Sequence, residues 1–199
     1  MNKHFKLFIF LIVILQILVS IIIFPMLPEK VASHWNSQNQ VDKYSSKTEF
    51  ISTFIIINII LLLFYIFIPK IDPLKKNYKN FEKDYNYLML LIFVFLFYIY
   101  FLTLLYNLGY LINIENFMFP ALGLYFYLIG GYLKNLKQNY FIGIKTPWTI
   151  SNKIVWKKTH KLGSIVFKFI GLIILLGMFF KKDVYNIMFI TIILGVLIL

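Results

Sequence analysis

Leu7-Phe8-Ile9-Phe10-Leu11-Ile12-Val13-Ile14-Leu15-Gln16-Ile17-Leu18-Val19-Ser20-Ile21-Ile22-Ile23-Phe24 holds eighteen residues with no charge and only two polar side chains. At about 1.5 Å of rise per residue such a run nearly crosses a hydrocarbon layer roughly 30 Å thick, so lipid is the solvent it is written for. Lys3 and Lys6 precede it and give it the outline of a signal peptide. The run is too long for one, however, and it leads into Phe24-Pro25-Met26-Leu27-Pro28 without a small-x-small cleavage site, so it reads as an uncleaved first span that Pro28 stops.

Five further apolar runs follow, at Phe50 to Ile68, Tyr87 to Tyr106, Phe117 to Leu133, Ser164 to Phe180 and Val184 to Leu199. The composition agrees, with 60% hydrophobic, 20% aromatic and 14% charged residues over 199 positions. The fold class expected is all-α, a polytopic membrane bundle of about six transmembrane helices. The whole of 1–199 reads as one integral membrane domain. Residues 1–69 make a first helical hairpin, 70–134 a middle hairpin, and 135–199 a loop, an interfacial helix and the last two spans.

The net charge of +12 comes from twenty basic residues, all of them lysine. In a soluble chain this would suggest nucleic acid, but in a membrane chain the division between loops matters and no direct nucleic-acid contact is expected. With the N-terminus inside, fourteen lysines fall on the inner side: Lys3, Lys6, Lys70, Lys75, Lys76, Lys79, Lys83, Lys134, Lys137, Lys145, Lys153, Lys157, Lys158 and Lys161. Five fall outside, Lys30, Lys43, Lys47, Lys181 and Lys182, and Lys168 lies within a span, where snorkelling to the inner headgroups is expected. The asymmetry places both termini in the cytoplasm and the chain in the cell membrane, multi-pass. The basic 69–86 loop is expected to contact anionic headgroups.

Two connections are longer than a turn needs. The outer one, 28–49, carries Trp35, which can lie at headgroup level with its N–H toward water, and Ser46 followed by Glu49, a capping box for the second span. His34, Asn36 and Asp42 offer donors and acceptors that form either a polar binding surface or a self-satisfied turn. In the inner one, 134–163, Pro147 keeps Thr146 out of helical geometry and Ser151 is placed to cap a helix starting at Asn152. On that helix Lys153, Lys157 and Lys161 lie opposite Val155, Thr159, Leu162 and Val166, which predicts a short interfacial amphipathic helix that bends at Gly163 into the fifth span.

Cysteine is absent, which removes disulfides and thiolate chemistry. Only His4, His34 and His160 could serve as imidazole ligands, and the last two fall in loops on opposite faces, so no metal site and no cofactor is expected. The spans hold little beyond Gln16, Ser20, Asn58, Thr103 and Lys168, which supplies no nucleophile with a base and argues against an enzyme. A small-solute transporter or channel is an alternative, since Pro120, Gly123, Gly130 and Gly131 could loosen the fourth span; a structural accessory subunit is another.

The two loops carry a resemblance. Leu27-Pro28, His34-Trp35-Asn36, Asp42 and Ser46-Lys47 outside, and Asn139, Gly143-Ile144-Lys145-Thr146-Pro147-Trp148-Thr149, Ser151, Trp156, Lys158-Thr159-His160 and Leu162-Gly163 inside, are similar to the SdpI toxin-immunity family, with its associated N-terminal HWN-type membrane domain of uncharacterised function. Lys145 stands where that family usually has arginine, and Asn39-Gln40-Val41 where it has a glycine-x-proline; asparagine tolerates the left-handed turn, whereas lysine loses a forked contact. The resemblance implies protection against a secreted, membrane-active toxic peptide, with a cytoplasmic transcriptional repressor as a second partner beside the lipid bilayer. It implies an outer binding set of Pro28, His34, Trp35, Asn36, Asp42 and Lys47, and an inner partner or headgroup set of Asn139, Gly143, Lys145, Thr146, Pro147, Trp148, Trp156, Thr159 and His160.

Overall fold

A computed structural model describes residues 3–177, 179 and 184–198. Its elements run α1 (Lys3–Ile23), β1 (Lys30–Trp35), β2 (Val41–Ser46), α2 (Lys47–Ile71), α3 (Glu82–Asn107), α4 (Ile114–Leu133), α5 (Pro147–Ser151), α6 (Lys153–Gly177) and α7 (Val184–Ile198), with single-turn 3₁₀ segments at Phe24–Met26 and Lys75–Asn80. Among the described residues, α1 to α4 and α6 are long and apolar enough to cross a membrane. The sixth run forms α7, fifteen residues long and so about 22 Å. The expected outer turn with Lys181 and Lys182 lies outside the described residues.

Burial is inverted relative to a water-soluble bundle. Ile21 and Ile22 are 65% exposed, while Gln16 and Asn58 are 1% exposed. Ile9, Val13, Gln16 and Ser20 form one buried stripe of α1 at helical spacing, and Ile51, Asn58 and Tyr65 recur every seven residues on α2. The polar members meet each other: Asn58 Nδ2 donates to Gln16 Oε1 at 2.9 Å, and the Ser20 hydroxyl donates to the Gln16 carbonyl at 2.7 Å while taking a 2.6 Å bond from Tyr100. A polar group left alone in hydrocarbon would cost several kcal/mol, so these pairs fix which faces of α1, α2 and α3 touch.

Small residues dictate the second interface. Gly123 and Gly130 on α4 lie seven apart, as do Ser164 and Gly171 on α6, and the antiparallel helices set Gly123 beside Gly171 and Gly130 beside Ser164. A Cβ at Gly171 would stand 2.5 Å from the Gly123 carbonyl oxygen and 2.6 Å from the Tyr127 nitrogen. This close approach lets Ser164 Oγ donate to the Gly130 carbonyl at 2.5 Å. Gly123 and Gly130, which could have loosened α4, therefore tighten it, and α4 stays helical from Ile114 through Pro120 to Leu133. The Lys168 stem packs on Gly130 with its ammonium 5.9 Å from the Tyr127 ring centre.

Two local expectations change. The first helix ends at Ile23 and passes into a 3₁₀ turn holding Pro25, so the stop precedes Pro28. The interfacial helix is continuous with the fifth span: α6 runs unbroken through a buried Gly163, because one interior glycine costs only about 1 kcal/mol in a helix and the packing around it outweighs that. Lys153, Lys157 and Lys161 are exposed as expected, but the opposite face is Trp156, His160, Gly163 and Ser164, and Leu162 is exposed.

Candidate functional site

The two long connections sit at opposite ends of the bundle. At the end shared by the C-termini of α1 and α3, β1 and β2 pair antiparallel, with Lys30 opposite Ser46, Val31 opposite Ser45, Ala32 opposite Tyr44, His34 opposite Lys43 and Trp35 opposite Val41. Val31 and Ala32 are buried under the hairpin. Asn107, in the last turn of α3, clamps it: its Oδ1 accepts from Ala32 N at 2.7 Å and its Nδ2 donates to the Ala32 carbonyl at 3.0 Å. Neither the strands nor this clamp was legible in the sequence, because a six-residue strand with one buried pair carries almost no periodic signal.

The outer residues divide by role. Asn36 organises the turn, its Oδ1 accepting from Gln38 N and Gln40 N, each at 3.0 Å, and Asn39 takes the left-handed conformation at φ +56°. Ser46 caps α2 by accepting from Glu49 N at 3.1 Å. Lys47 pairs with Glu29 at 2.9 Å and lies over the Phe24 ring. His34 Nδ1 donates to Asp42 Oδ1 at 2.5 Å across the exposed face, and Pro28 is exposed in the chain's approach to β1.

Trp35 does not turn its N–H to water as expected. It meets Tyr106 edge to face at 5.1 Å, and its Nε1 is buried. Trp35, Asn39 and His34 line a cavity of about 310 Å³ that reaches Phe54, Thr103 and Phe119 among the helices. Among the described residues neither Trp35 Nε1 nor Asn39 Oδ1 has a hydrogen-bond partner. An apolar cleft with a few convergent polar groups at one wall is the usual form of a ligand site.

The opposite end is a lattice of internal hydrogen bonds. Asn139, fully buried, donates from Nδ2 to the carbonyls of Lys137 and Ile142, both at 2.9 Å, and its Oδ1 accepts from Phe141 N at 2.9 Å and Ile142 N at 2.7 Å. Thr146 caps α5 reciprocally with Thr149, whose hydroxyl also reaches the Ile144 carbonyl at 3.0 Å. Asn152, and not Ser151, receives the first amides of α6, from Ile154 at 2.8 Å and Val155 at 3.2 Å. Trp156 Nε1 donates to the Leu136 carbonyl at 2.8 Å.

Gly143 and His160 lock together. His160, buried and stacked on Trp156 with ring centres 4.0 Å apart, donates from Nδ1 to the Trp156 carbonyl at 2.8 Å and accepts at Nε2 from Ile144 N at 3.1 Å. Both contacts together require the neutral ring. Gly143 passes directly over Nε2 at φ +116°, a conformation and a gap that admit only glycine.

The 69–86 loop is tied into the same lattice. Asp72, buried, accepts from Leu74 N at 2.6 Å, Tyr140 N at 2.9 Å and the Tyr78 hydroxyl at 3.2 Å, and Asn77 donates to the Gln138 carbonyl at 2.7 Å. Burial first, then the Asp72 charge and its hydrogen bond, push the Tyr78 hydroxyl well above its ordinary range, so it remains a donor. The sequence signal for Asp72 was only an Asp-Pro turn in a lysine-rich segment. On this face Lys145, Pro147 and Trp148 are exposed, Trp148 at 70%, and Thr159 is half-buried. Of the inner set, Asn139, Gly143, Trp156 and His160 are turned inward, while Thr146 is half-buried and committed to its cap. Among the described residues no group of three or more His, Asp or Glu side chains is arranged to hold a metal ion.

Residues 135–199 match the SdpI/YfhL protein family, and residues 11–61 match a domain of unknown function, DUF1648. Over 191 residues the chain is 28% identical to the Immunity protein SdpI of Bacillus subtilis (strain 168), an alignment covering 95% of this chain and 88% of that protein. No solved structure matches the chain. The match to DUF1648 takes in the outer hairpin and the match to SdpI/YfhL takes in the inner lattice, so the chain is a multi-pass membrane protein whose C-terminal third is similar to the SdpI/YfhL family and whose N-terminal part is similar to DUF1648.

Proposed function

We propose that this protein is an immunity protein that protects a cell against a secreted, membrane-active toxic peptide, and that the hairpin 30–46 is the element that meets the peptide outside. The observation that carries the reading is the hairpin's construction. A rigid β-ribbon is clamped to α3 through Asn107, presents the His34–Asp42 pair to solvent, and roofs a cavity whose wall holds the unpartnered Trp35 Nε1. Such a site can accept an apolar side chain of a peptide, while the exposed His34–Asp42 pair offers polar contacts beside it. Similarity to an immunity protein along 95% of the chain supports the same conclusion.

With the N-terminus inside, the Asn139–His160 lattice faces the cytoplasm and the lysine distribution follows the positive-inside rule. There the exposed Lys145, Pro147 and Trp148 form the surface for a soluble partner, a transcriptional repressor held at the membrane. The bonds tying 69–86 to 134–152, and Ala32 to Asn107, support the reading of 1–199 as one integral membrane domain.

Expression in a toxin-sensitive host tests the reading. Survival should rise with the wild-type chain and fall for His34→Ala and Trp35→Ala at unchanged membrane abundance, whereas Trp148→Ala should retain survival and lose retention of the repressor. Equal survival with and without the wild-type chain would remove the immunity assignment.

A further inference from the structure

Where α1 begins and α2 ends, four lysines converge on one recess. Lys6 stands in the first turns of α1 and Lys70 in the last turn of α2, while Lys75 and Lys79 project from the 3₁₀ turn that leads to α3. Together with Glu82 they line a cavity of about 280 Å³ whose remaining walls are Ile66, Pro69 and the rings of Tyr78 and Tyr85. Four lysines and one glutamate line it, so the lining carries a net positive charge, yet the remaining walls are apolar and aromatic. We propose that this recess is a binding site for a phosphate group presented by the headgroup of an anionic lipid.

Depth and surroundings point to a lipid. Lys6 and Lys70 sit at the ends of their spans, which is headgroup level, and the side chains just beyond them, Leu7, Phe67 and Ile71, are exposed to the hydrocarbon side. Basic pockets between transmembrane helices on the inner face are the form in which such headgroups are recognised. Lysine suits the task because its ammonium acts as a point charge with three donors, so several converging on one anion serve a tetrahedral phosphate without a planar fork. Lys70 lies with its ammonium 5.4 Å from the Phe67 ring centre, at the boundary between lipid and recess. Occupation also reaches the inner lattice, since the turn bearing Lys75 and Lys79 carries Tyr78, whose hydroxyl bonds Asp72 at 3.2 Å and Asn139 at 3.4 Å.

The test uses the purified full-length chain in neutral detergent, titrated with phosphatidylglycerol, phosphatidylcholine or inorganic phosphate and followed by thermal unfolding and by retained lipid in native mass spectrometry. Phosphatidylglycerol should bind and raise the unfolding temperature, and the other two should not. Each lysine removed should weaken binding about fivefold, so Lys75→Gln/Lys79→Gln should lose roughly 25-fold while Lys75→Arg/Lys79→Arg retains most of it. Lys157→Gln/Lys158→Gln, on the exposed face of α6, should bind like wild type. An equal loss in that control pair would reduce the effect to general surface charge and overturn the site. Equal binding of phosphatidylcholine would overturn the anion requirement, and protection by inorganic phosphate alone would overturn the lipid as its source.

Discussion

Gly143→Ala is the substitution whose cost is most directly readable. The backbone there holds φ +116°, a region nearly closed to residues with a Cβ, and occupying it costs on the order of 1–3 kcal/mol. The added methyl would also collide with His160 Nε2, and the collision cannot be relieved cheaply because the ring is buried and stacked on Trp156. Moving the ring breaks the bond from Ile144 N, the bond to the Trp156 carbonyl, or both, and each buried polar group left unpaired costs about 1–3 kcal/mol. The total is about 2–9 kcal/mol, which for a chain of this size lowers the unfolding temperature by on the order of 10 °C. Thermal unfolding in detergent, followed by intrinsic tryptophan fluorescence, measures it, with Gly131→Ala as reference because nothing lies within 4 Å of a Cβ there. Adding His160→Ala should relieve the collision but not the backbone strain, leaving about 1–3 kcal/mol from φ together with the orphaned Ile144 amide and the cavity left by the buried ring. If Gly143→Ala unfolds at the same temperature as Gly131→Ala, the lock between the inner loop and α6 has been misread.

Gly171→Ala should force α4 and α6 apart, since its Cβ meets backbone atoms of Gly123 and Tyr127 that cannot swing away, and a loss of about 1–3 kcal/mol in detergent unfolding is expected. Asp72→Ala removes the acceptor for two backbone amides and the Tyr78 hydroxyl, and it should cost about 2–4 kcal/mol and speed proteolysis between 69 and 86 before the spans open. Asn107→Ala leaves both polar groups of buried Ala32 unpaired, about 2 kcal/mol, and should free the hairpin to hydrogen exchange while α4 and α6 keep their protection.

Hydropathy located the five helices long and apolar enough to cross a membrane, because lipid accepts only backbone that satisfies itself and that constraint is written into each run separately; the sixth run forms only the shorter α7. The Ser46 cap and the left-handed Asn39 were equally legible, since each depends on residues within three positions. What stayed hidden depends on partners far along the chain. Gly123, Gly130, Ser164 and Gly171 have visible seven-residue spacing, but nothing in one helix says which other helix its small residues face. Asp72 reaches Tyr140 across 68 residues and Asn107 reaches Ala32 across 75, and no local pattern encodes such a pairing. For the same reason the sequence did not show which way the Trp35 N–H points: Tyr106, at the end of another helix, offers its ring a packed edge. At the inner loop the motif residues were found, whereas their division between lattice and surface followed only from the fold.

The account rests on the hairpin and the inner lattice facing opposite compartments, with the hairpin outside. The chain contains no cysteine, so a single introduced thiol reports its own location without background. Ser37→Cys in the hairpin turn and Ser151→Cys before α6, both at exposed positions, would be treated in intact cells with a membrane-impermeant maleimide and again after permeabilisation. Labelling of position 37 in intact cells, and of position 151 only once the membrane is opened, is the expected result; labelling of both from the same side would contradict it.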